Sequence, residues 1–324
     1  MNPALDTRSP VAERDANGRL RHLLDLRGVD AAWMQQLFQR AQAYLHAPDQ
    51  IRGNLSLRGR TVGTLFFEDS TRTRSAFELA ARRLDATVLN LDVRTSSTKK
   101  GETLRDTLLT LEAMDMDLFV VRHGDSGAAS CVAQALGGRA SVLNAGDGWH
   151  AHPTQALLDT FTLWQHGFDF GASSITIVGD ILHSRVARSL VRALRILGCM
   201  DIRLVAPPTL LPEAPQDPAI RMSSDLDACL PGSHAVVALR LQKERMRGPL
   251  LPGASEFYTR YGLTPARLDL AQPGAWVLHP GPINRGVEIS SSVADGERSL
   301  ILEQVRNGVL VRMAVMEEIL GASA

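Results

Sequence analysis

Apolar positions along the chain follow two alternating rhythms. Residues 61–67, TVGTLFF, are β-branched and aromatic, which predicts a buried strand. Directly afterwards Phe77, Ala80, Ala81 and Leu84 recur at i, i+3, i+4 and i+7, one apolar face of a helix. Trp33, Leu37, Ala41 and Leu45 make the same stripe over 30–45. Short apolar strands are expected at 87–91, 118–121 and 141–144, with a helix over 102–114 that carries Leu104, Leu108 and Leu111. A helix from 155 to about 166 leads into a second series. There a strand at 174–178, a helix over 185–197 and a strand at 201–205 precede the Pro-rich PPTLLPEAPQDP. Strands at 234–239 and 276–278 follow, then an amphipathic helix over 299–320. This alternation predicts an α/β fold of two lobes, each a parallel sheet flanked by helices. The last helix is long enough to pack back on the first lobe. The expected domains are 21–155, completed by 305–324, and 156–304, after an N-terminal extension over 1–20 expected to be mobile. No repeat of solenoid period is present.

Composition narrows the class. A chain of 324 residues, 44% hydrophobic and 22% charged, suits two globular domains of roughly 100–200 residues each. Lys plus Arg equals Asp plus Glu at 35 each, so charge gives no case for nucleic acid or an anionic membrane. The polar start, MNPALDTRSPVAERDANGRL, lacks the apolar core of a signal peptide, and no run reaches the roughly 18–20 apolar residues of a membrane span. Cys131, Cys199 and Cys229 are far apart and form no CxxC, which predicts a reduced cytoplasmic protein with buried thiols and no zinc site. His150 and His152 in GWHAHPTQ have no carboxylate or Cys in matching array, so a metal role ranks well below a non-metal one.

Candidate chemistry begins where the first strand meets its helix. Ser70, Thr71, Arg72 and Thr73 place four donor-bearing side chains in a row, and Arg74 follows. A helix N-terminus offers unpaired N–H groups and the positive end of the dipole, and guanidinium forks match phosphate oxygens. An N-cap with surface arginines is the plain alternative. One hydroxyl suffices for a cap, however, so a phosphate or oxyanion cradle is favoured. In parallel sheets, ligands bind at the carboxyl ends of strands. Arg122 follows the third strand, and His152 with Gln155 the fourth. In the second lobe Arg185 follows ITIVGD, Arg240 and Gln242 follow HAVVAL, and HPGP follows WVL. Singly, each has a bland reading: a surface ion pair, a core histidine, a first-turn arginine, an edge-strand charge, a turn. Their recurrence on one edge predicts a multiply anionic substrate. GxxxxGK[ST], GxGxxG and GxSxG are all missing, which weakens nucleotide, dinucleotide and serine-hydrolase readings.

STRTR at 70–74, KKGET at 99–103, Arg122-His123, HPTQ at 152–155 and HPGP at 279–282 together resemble the signature set of the transcarbamoylases. KKGET, the RLQ triplet at 240–242, and HPGP where ornithine-specific members carry His-Cys-Leu-Pro resemble the aspartate-specific branch. The resemblance runs from about Leu23 to the C-terminal helix. It implies transfer of the carbamoyl group of carbamoyl phosphate to L-aspartate, the committed step of de novo pyrimidine synthesis, without metal or cofactor. By the same resemblance, Ser70, Thr71, Arg72 and Thr73 would hold the phosphate. Thr73, Arg122 and His152 would face the carbamoyl oxygen, and Gln155 with the backbone of Gly281 and Pro282 the carbamoyl amide. Arg185 and Arg240 would take the aspartate carboxylates, supported by Gln242, while Ser96 and Lys100 would come from a neighbouring subunit of a homotrimer with shared sites. The first domain would bind carbamoyl phosphate and the second aspartate. The N-terminal extension resembles those of members that form larger complexes with a regulatory or dihydroorotase-like chain; a disordered tail is the alternative.

Three rival readings remain. One is a transcarbamoylase for ornithine, disfavoured because a cationic side chain would meet Arg240 and Lys100. A catalytically inactive scaffold subunit should have lost site residues, and a dehydrogenase lacks its glycine fingerprint. Residues 241–263, rich in charge, Gly and Pro, are expected to form a mobile loop that orders over ligand.

Overall fold

The computed structural model describes residues 13–46, 54–91, 103–213, 217–241 and 253–321. The chain divides into two compact units, 1–154 with 308–324, and 155–307. In the first unit the described elements are α1 (Ala31–His46), β1 (Thr61–Phe66), α2 (Thr71–Arg83), β2 (Thr87–Leu91), α3 (Leu104–Ala113), β3 (Leu118–His123), α4 (Ala128–Ala135) and β4 (Ser141–Asp147). Their strands form one sheet in the order β2-β1-β3-β4, and every neighbouring pair is parallel. β1 and β4 are almost wholly buried, which is why they read as unbroken apolar or small-residue runs rather than alternating ones. β4 lies at the sheet margin, and residues 22–24 cover it. Leu23 N–H donates to the Val142 carbonyl at 3.0 Å and Asn144 N–H to the Leu23 carbonyl at 2.9 Å.

Helix α5 (Pro153–Gln165) begins at the boundary between the units. The second unit then holds β5 (Ser174–Val178), α6 (Arg185–Ile196), β6 (Asp201–Val205), β7 (Ile220–Ser223), α7 (Leu226–Cys229), β8 (Ala235–Ala238), α8 (Ala254–Tyr261), α9 (Pro265–Leu268), β9 (Trp276–Leu278) and α10 (Ser291–Ala294). Its five strands run in the order β7-β6-β5-β8-β9, again all parallel. Leu190 and Leu194 of α6 and Phe257 of α8 share one core with β5 and β8.

The final helix, α11 (Ile301–Leu320), packs its C-terminal half on the first unit. The Arg312 guanidinium lies 4.8 Å from the Phe77 ring centroid. The Tyr44 hydroxyl donates to the Glu317 carboxylate, and Arg40 pairs with Glu318 at 3.2 Å. Phe77 is fully buried on the apolar face of α2, so its truncation is expected to cost about 3–5 kcal/mol. That packing holds the N-terminus of α2 in place.

The structure departs from sequence expectation in several places. Within 241–263, Ala254–Tyr261 is a helix with Phe257 and Tyr261 buried, not a loop; 242–252 lie outside the described residues. From Glu13 onward the N-terminal extension is tied down: Arg14 bridges Leu20, and Leu20 is buried. All three cysteines are free, but only Cys199 is buried, with Cys131 and Cys229 half-buried. No described helix is long and apolar enough to cross a membrane.

Candidate active site

The first unit gathers donors at the carboxyl ends of adjacent strands. Chain leaving β1 turns into α2 with Ser70 at the N-cap, and the Ser70 hydroxyl makes no capping hydrogen bond. The first turn of α2 contains no acidic residue, so no side chain of that turn offsets the positive end of its dipole, although Glu68 and Asp69 stand just before the N-cap. Thr71 and Arg72 are exposed and Thr73 is half-buried. Arg74 takes a different part: its guanidinium stacks over Phe66, 5.2 Å from the ring centroid. That contact sets Arg74 apart from the other four STRTR side chains.

Arg122 sits opposite Phe66 in the β1–β3 register, which places it beside the cradle. Its side chain is largely buried, 3.5 Å from the Glu68 carboxylate through Nε, and it donates to the Ala145 carbonyl at 3.2 Å through Nη1. Glu68 and the Ala145 carbonyl thus help to fix the guanidinium. Ala145 belongs to β4, whose end leads to His152, a side chain only 5% exposed.

A carboxylate that sequence reasoning missed shapes the loop before His152. Asp147, fully buried, accepts from Gly127 N–H at 2.7 Å, Asn144 Nδ2 at 2.7 Å and Ala151 N–H at 3.2 Å. His150 Nδ1 lies 3.0 Å from it. Burial works to raise the Asp147 pKa, but the His150 and Asn144 hydrogen bonds outweigh it and hold the carboxyl below its usual range. On the other side of the ring, His150 Nε2 is 3.5 Å from Asp25. His150, expected to lack a carboxylate partner, therefore has two. Hydrogen bonds to Asp147 and then Asp25 push its pKa up to about 9. The carboxylates meet opposite ring nitrogens, so they cannot share one ion with the ring. Among the described residues no group of three or more His, Cys, Asp or Glu side chains could hold a metal.

The second unit presents the remaining candidates. Arg185 opens α6 and is buried, a guanidinium against the positive end of a helix dipole. That placement suits an anionic neighbour better than it suits the helix. Arg240 follows β8, which lies inside the five-stranded sheet, so the edge-strand explanation for it falls. The segment after β5 approaches that strand closely at Gly179: a Cβ there would lie 2.6 Å from the Leu239 carbonyl, and its φ is +137°.

Gln155, Gly281 and Pro282 are linked by a buried polar chain. Gln155 Nε2 donates to Asp159 at 2.8 Å, and Gln304 Nε2 donates to the same oxygen at 2.6 Å. Gln304 Oε1 accepts from His279 N–H at 2.9 Å. His279 Nδ1 accepts from Gly281 N–H at 2.8 Å, and its Nε2 faces Glu288 at 3.1 Å. Gly281 has φ +65°, a left-handed conformation that favours glycine. HPGP is thus more than a turn, because its histidine is wired into the core. Asp159, Gln304 and Glu288 had one sequence signal among them, the i, i+4 spacing of Gln155 and Asp159 on an otherwise apolar helix. Ser96, Lys100 and Gln242 lie outside the described residues.

Chemically, the first unit offers hydroxyls, guanidinium groups and a helix terminus for an oxyanion; the second offers two arginines and an oriented amide. Comparison with known proteins agrees. Residues 21–165 match the family model for the aspartate/ornithine carbamoyltransferase carbamoyl-P binding domain, and 172–319 match that for the Asp/Orn binding domain. Aspartate transcarbamoylase from Trypanosoma cruzi, in complex with carbamoyl aspartate and phosphate, is 31% identical, with 97% of this chain and 100% of that one covered and a TM-score of 0.82. The same enzyme with N-(phosphonacetyl)-L-aspartic acid is 32% identical, with 95% and 98% covered and a TM-score of 0.83. With carbamoyl phosphate and aspartate it is 30% identical, with 95% and 99% covered and a TM-score of 0.82. Both halves of the chain match the family and the solved relatives align over nearly its whole length, so the chain belongs to the aspartate/ornithine carbamoyltransferase family.

Proposed function

We propose that the chain is an aspartate carbamoyltransferase, which moves the carbamoyl group of carbamoyl phosphate to the amine of L-aspartate and so serves pyrimidine synthesis. The observation that carries this reading is the likeness, over nearly the whole chain, to structures holding both of those substrates. Residues 21–155 with 305–324 are assigned to carbamoyl phosphate and 156–304 to aspartate. Ser70, Thr71, Arg72 and Thr73 take the phosphate, an assignment supported by the uncapped, acid-free helix start. The neutral amine attacks the carbamoyl carbon, the carbonyl oxygen gains charge, and the C–O bond to phosphate breaks as the amine proton passes to the departing phosphate. Thr73, Arg122 and His152 face that oxygen, while Gln155, Gly281 and Pro282 hold the carbamoyl amide. Arg185, Arg240 and Gln242 take the aspartate carboxylates. Phosphate is already a good leaving group, so positioning and preorganised positive charge account for the catalysis.

A homotrimer in which Ser96 and Lys100 complete a neighbour's site belongs to the same proposal, as does a cytoplasmic location. Leu79 and Leu89, exposed beside the marginal strand β2, are the kind of apolar surface that a second copy would cover. The test is a ureido-product assay with carbamoyl phosphate and either aspartate or ornithine. Aspartate should be carbamoylated and ornithine not, because an ornithine side chain would meet arginines. Equal or better turnover of ornithine would sink the assignment.

A further inference from the structure

A fully buried carboxylate in the second unit has no role in the chemistry described so far. Asp159 lies on α5 one helical turn beyond Gln155 and is 0% exposed. The hydrogen bonds around it leave little freedom of sign. The His279 backbone N–H can only donate, so the Gln304 atom 2.9 Å from it must be the oxygen. The Gln304 Nε2 must then be the atom that donates to Asp159 Oδ1, 2.6 Å away. Gln155 approaches the same Oδ1 at 2.8 Å. An oxygen already accepting from one amide would repel the Gln155 oxygen, so Gln155 too must direct its NH₂ there. Its Oε1 is left as the group that can accept from a ligand.

We infer that Asp159 is a positioning residue that fixes the polarity of the Gln155 amide, so that the site selects an acyl phosphate bearing an NH₂ group over one bearing a methyl. The inference rests on the function proposed above and extends it to substrate discrimination. A carbamoyl NH₂ donates to Oε1. The methyl of an acetyl group has nearly the same size and nothing to donate, which leaves a buried acceptor unpaired. Gln304 is the second arm of the device. It joins Asp159 to His279, whose Nδ1 accepts from Gly281 N–H and whose Nε2 proton then goes to Glu288 Oε1 at 3.1 Å. The loop assigned to the other side of the amide is therefore set by the same chain of bonds.

Asp159→Leu tests this. A leucine of similar volume removes the acceptor, so nothing fixes which end of the Gln155 amide faces it. An asparagine would not serve, because Gln304 would still hold its oxygen toward Gln155. Binding of carbamoyl phosphate and of acetyl phosphate to the full chain should be measured directly by calorimetry, without an acceptor amino acid. The variant should bind carbamoyl phosphate about tenfold more weakly while acetyl phosphate changes little. Adding Asp159→Leu to a Gln155→Ala chain should bring no further loss, because Asp159 acts through Gln155. If Asp159→Leu does not fold, Asp159→Asn in a Gln304→Met chain, where the asparagine can turn either way, should move the ratio of the two affinities in the same direction relative to Gln304→Met alone. Equal weakening of both ligands in the folded variant, or an unchanged ratio, overturns the inference. A wild-type chain that binds both acyl phosphates equally also overturns it, and leaves carbamoyl transfer to the ureido assay.

Discussion

A buried histidine is more often a packing residue than a catalytic one, and His152 is buried enough to be either. Its position decides between them. It follows β4 in a loop fixed by Asp147, whose carboxylate gathers N–H groups from Gly127 and Ala151. A loop held this tightly does not need His152 for its own stability. His152→Ala should therefore melt close to the wild type but turn over more slowly, by about 10²–10³-fold if one oxyanion donor is lost. Overlap with Arg122 and Thr73 reduces that figure. Unfolding, or full activity, would return His152 to the core. Arg122 shows the complementary arrangement: Glu68 and the Ala145 carbonyl hold it from a neighbouring loop and strand. Its charge can then be aimed before substrate arrives, and preorganisation of this kind costs nothing at the moment of reaction.

At the scale of elements, residues 13–25 and β4 form a strap whose pH response can be worked out. Hydrogen bonds to Asp147 and Asp25 raise His150 to about 9, above its unfolded value of 6.5. Its contribution is fully present below pH 6.5 and is lost as pH rises through 9. His22, whose Nδ1 accepts from Val142 N–H at 3.0 Å, is lowered to about 4 by burial and then by Arg21. Holding it neutral costs stability as pH falls from 6.5 toward 4. Glu13 is raised to about 7, by burial and then by Asp25, so ionising it also costs stability as pH rises from 4.5 through 7. Asp25, where hydrogen bonds from His150 and Arg27 outweigh burial, falls to about 2 and matters only in strong acid. Exchange of the Leu23 and Asn144 amides should therefore quicken as pH rises from 7 toward 9, after correction for intrinsic rates. His150→Gln should flatten that limb, and a wild-type profile unchanged by the substitution would count against the clamp. The strap also marks where the sequence stopped being legible. The pattern of β-branched and apolar runs located 87–91, 174–178, 201–205 and 276–278 to the residue. Of these, 174–178 is buried throughout and leaves a continuous apolar record, while 87–91 was legible from its Thr, Val and Leu content although it is largely exposed. α4 follows Gly127, which adopts φ +85° as its N-cap, and is built largely of Ala and Ser, with no stripe to read. β7 is marginal and only four residues long, half-buried with Arg221 exposed. The proposed cradle and cation positions stood out because their residue types are costly to place without a use. Asp147, Asp159 and Gln304 were not, because a supporting residue is defined by partners far away in sequence.

For the whole molecule, the assembly question turns on Lys100. The chain leaves the first sheet at β2, its margin strand, and α3 begins only after Thr103, which caps it. If Lys100 completes a neighbour's site, no isolated chain is a complete enzyme, and a cyclic arrangement with a heterologous interface supplies each pocket with the next chain's lysine. Lys100→Ala and Arg72→Ala chains should each be nearly inactive alone, since every site in either homotrimer lacks one group. Denatured together in equal amounts and refolded, they form mixed trimers. A site is intact when the pocket comes from a Lys100→Ala chain and the lysine from an Arg72→Ala chain. With random mixing this holds for one case in four, so activity should return to about a quarter of the wild type at matched protein concentration. Pockets that lack both groups contribute nothing. If both groups served their own chain, no mixture could restore a site, since each chain would carry its own defect into any assembly. Recovery near a quarter therefore requires the lysine to cross between subunits. No recovery in confirmed hybrid trimers would place Lys100 in its own subunit's site, and a fully active Lys100→Ala chain would make it a solvated lysine with no part in catalysis.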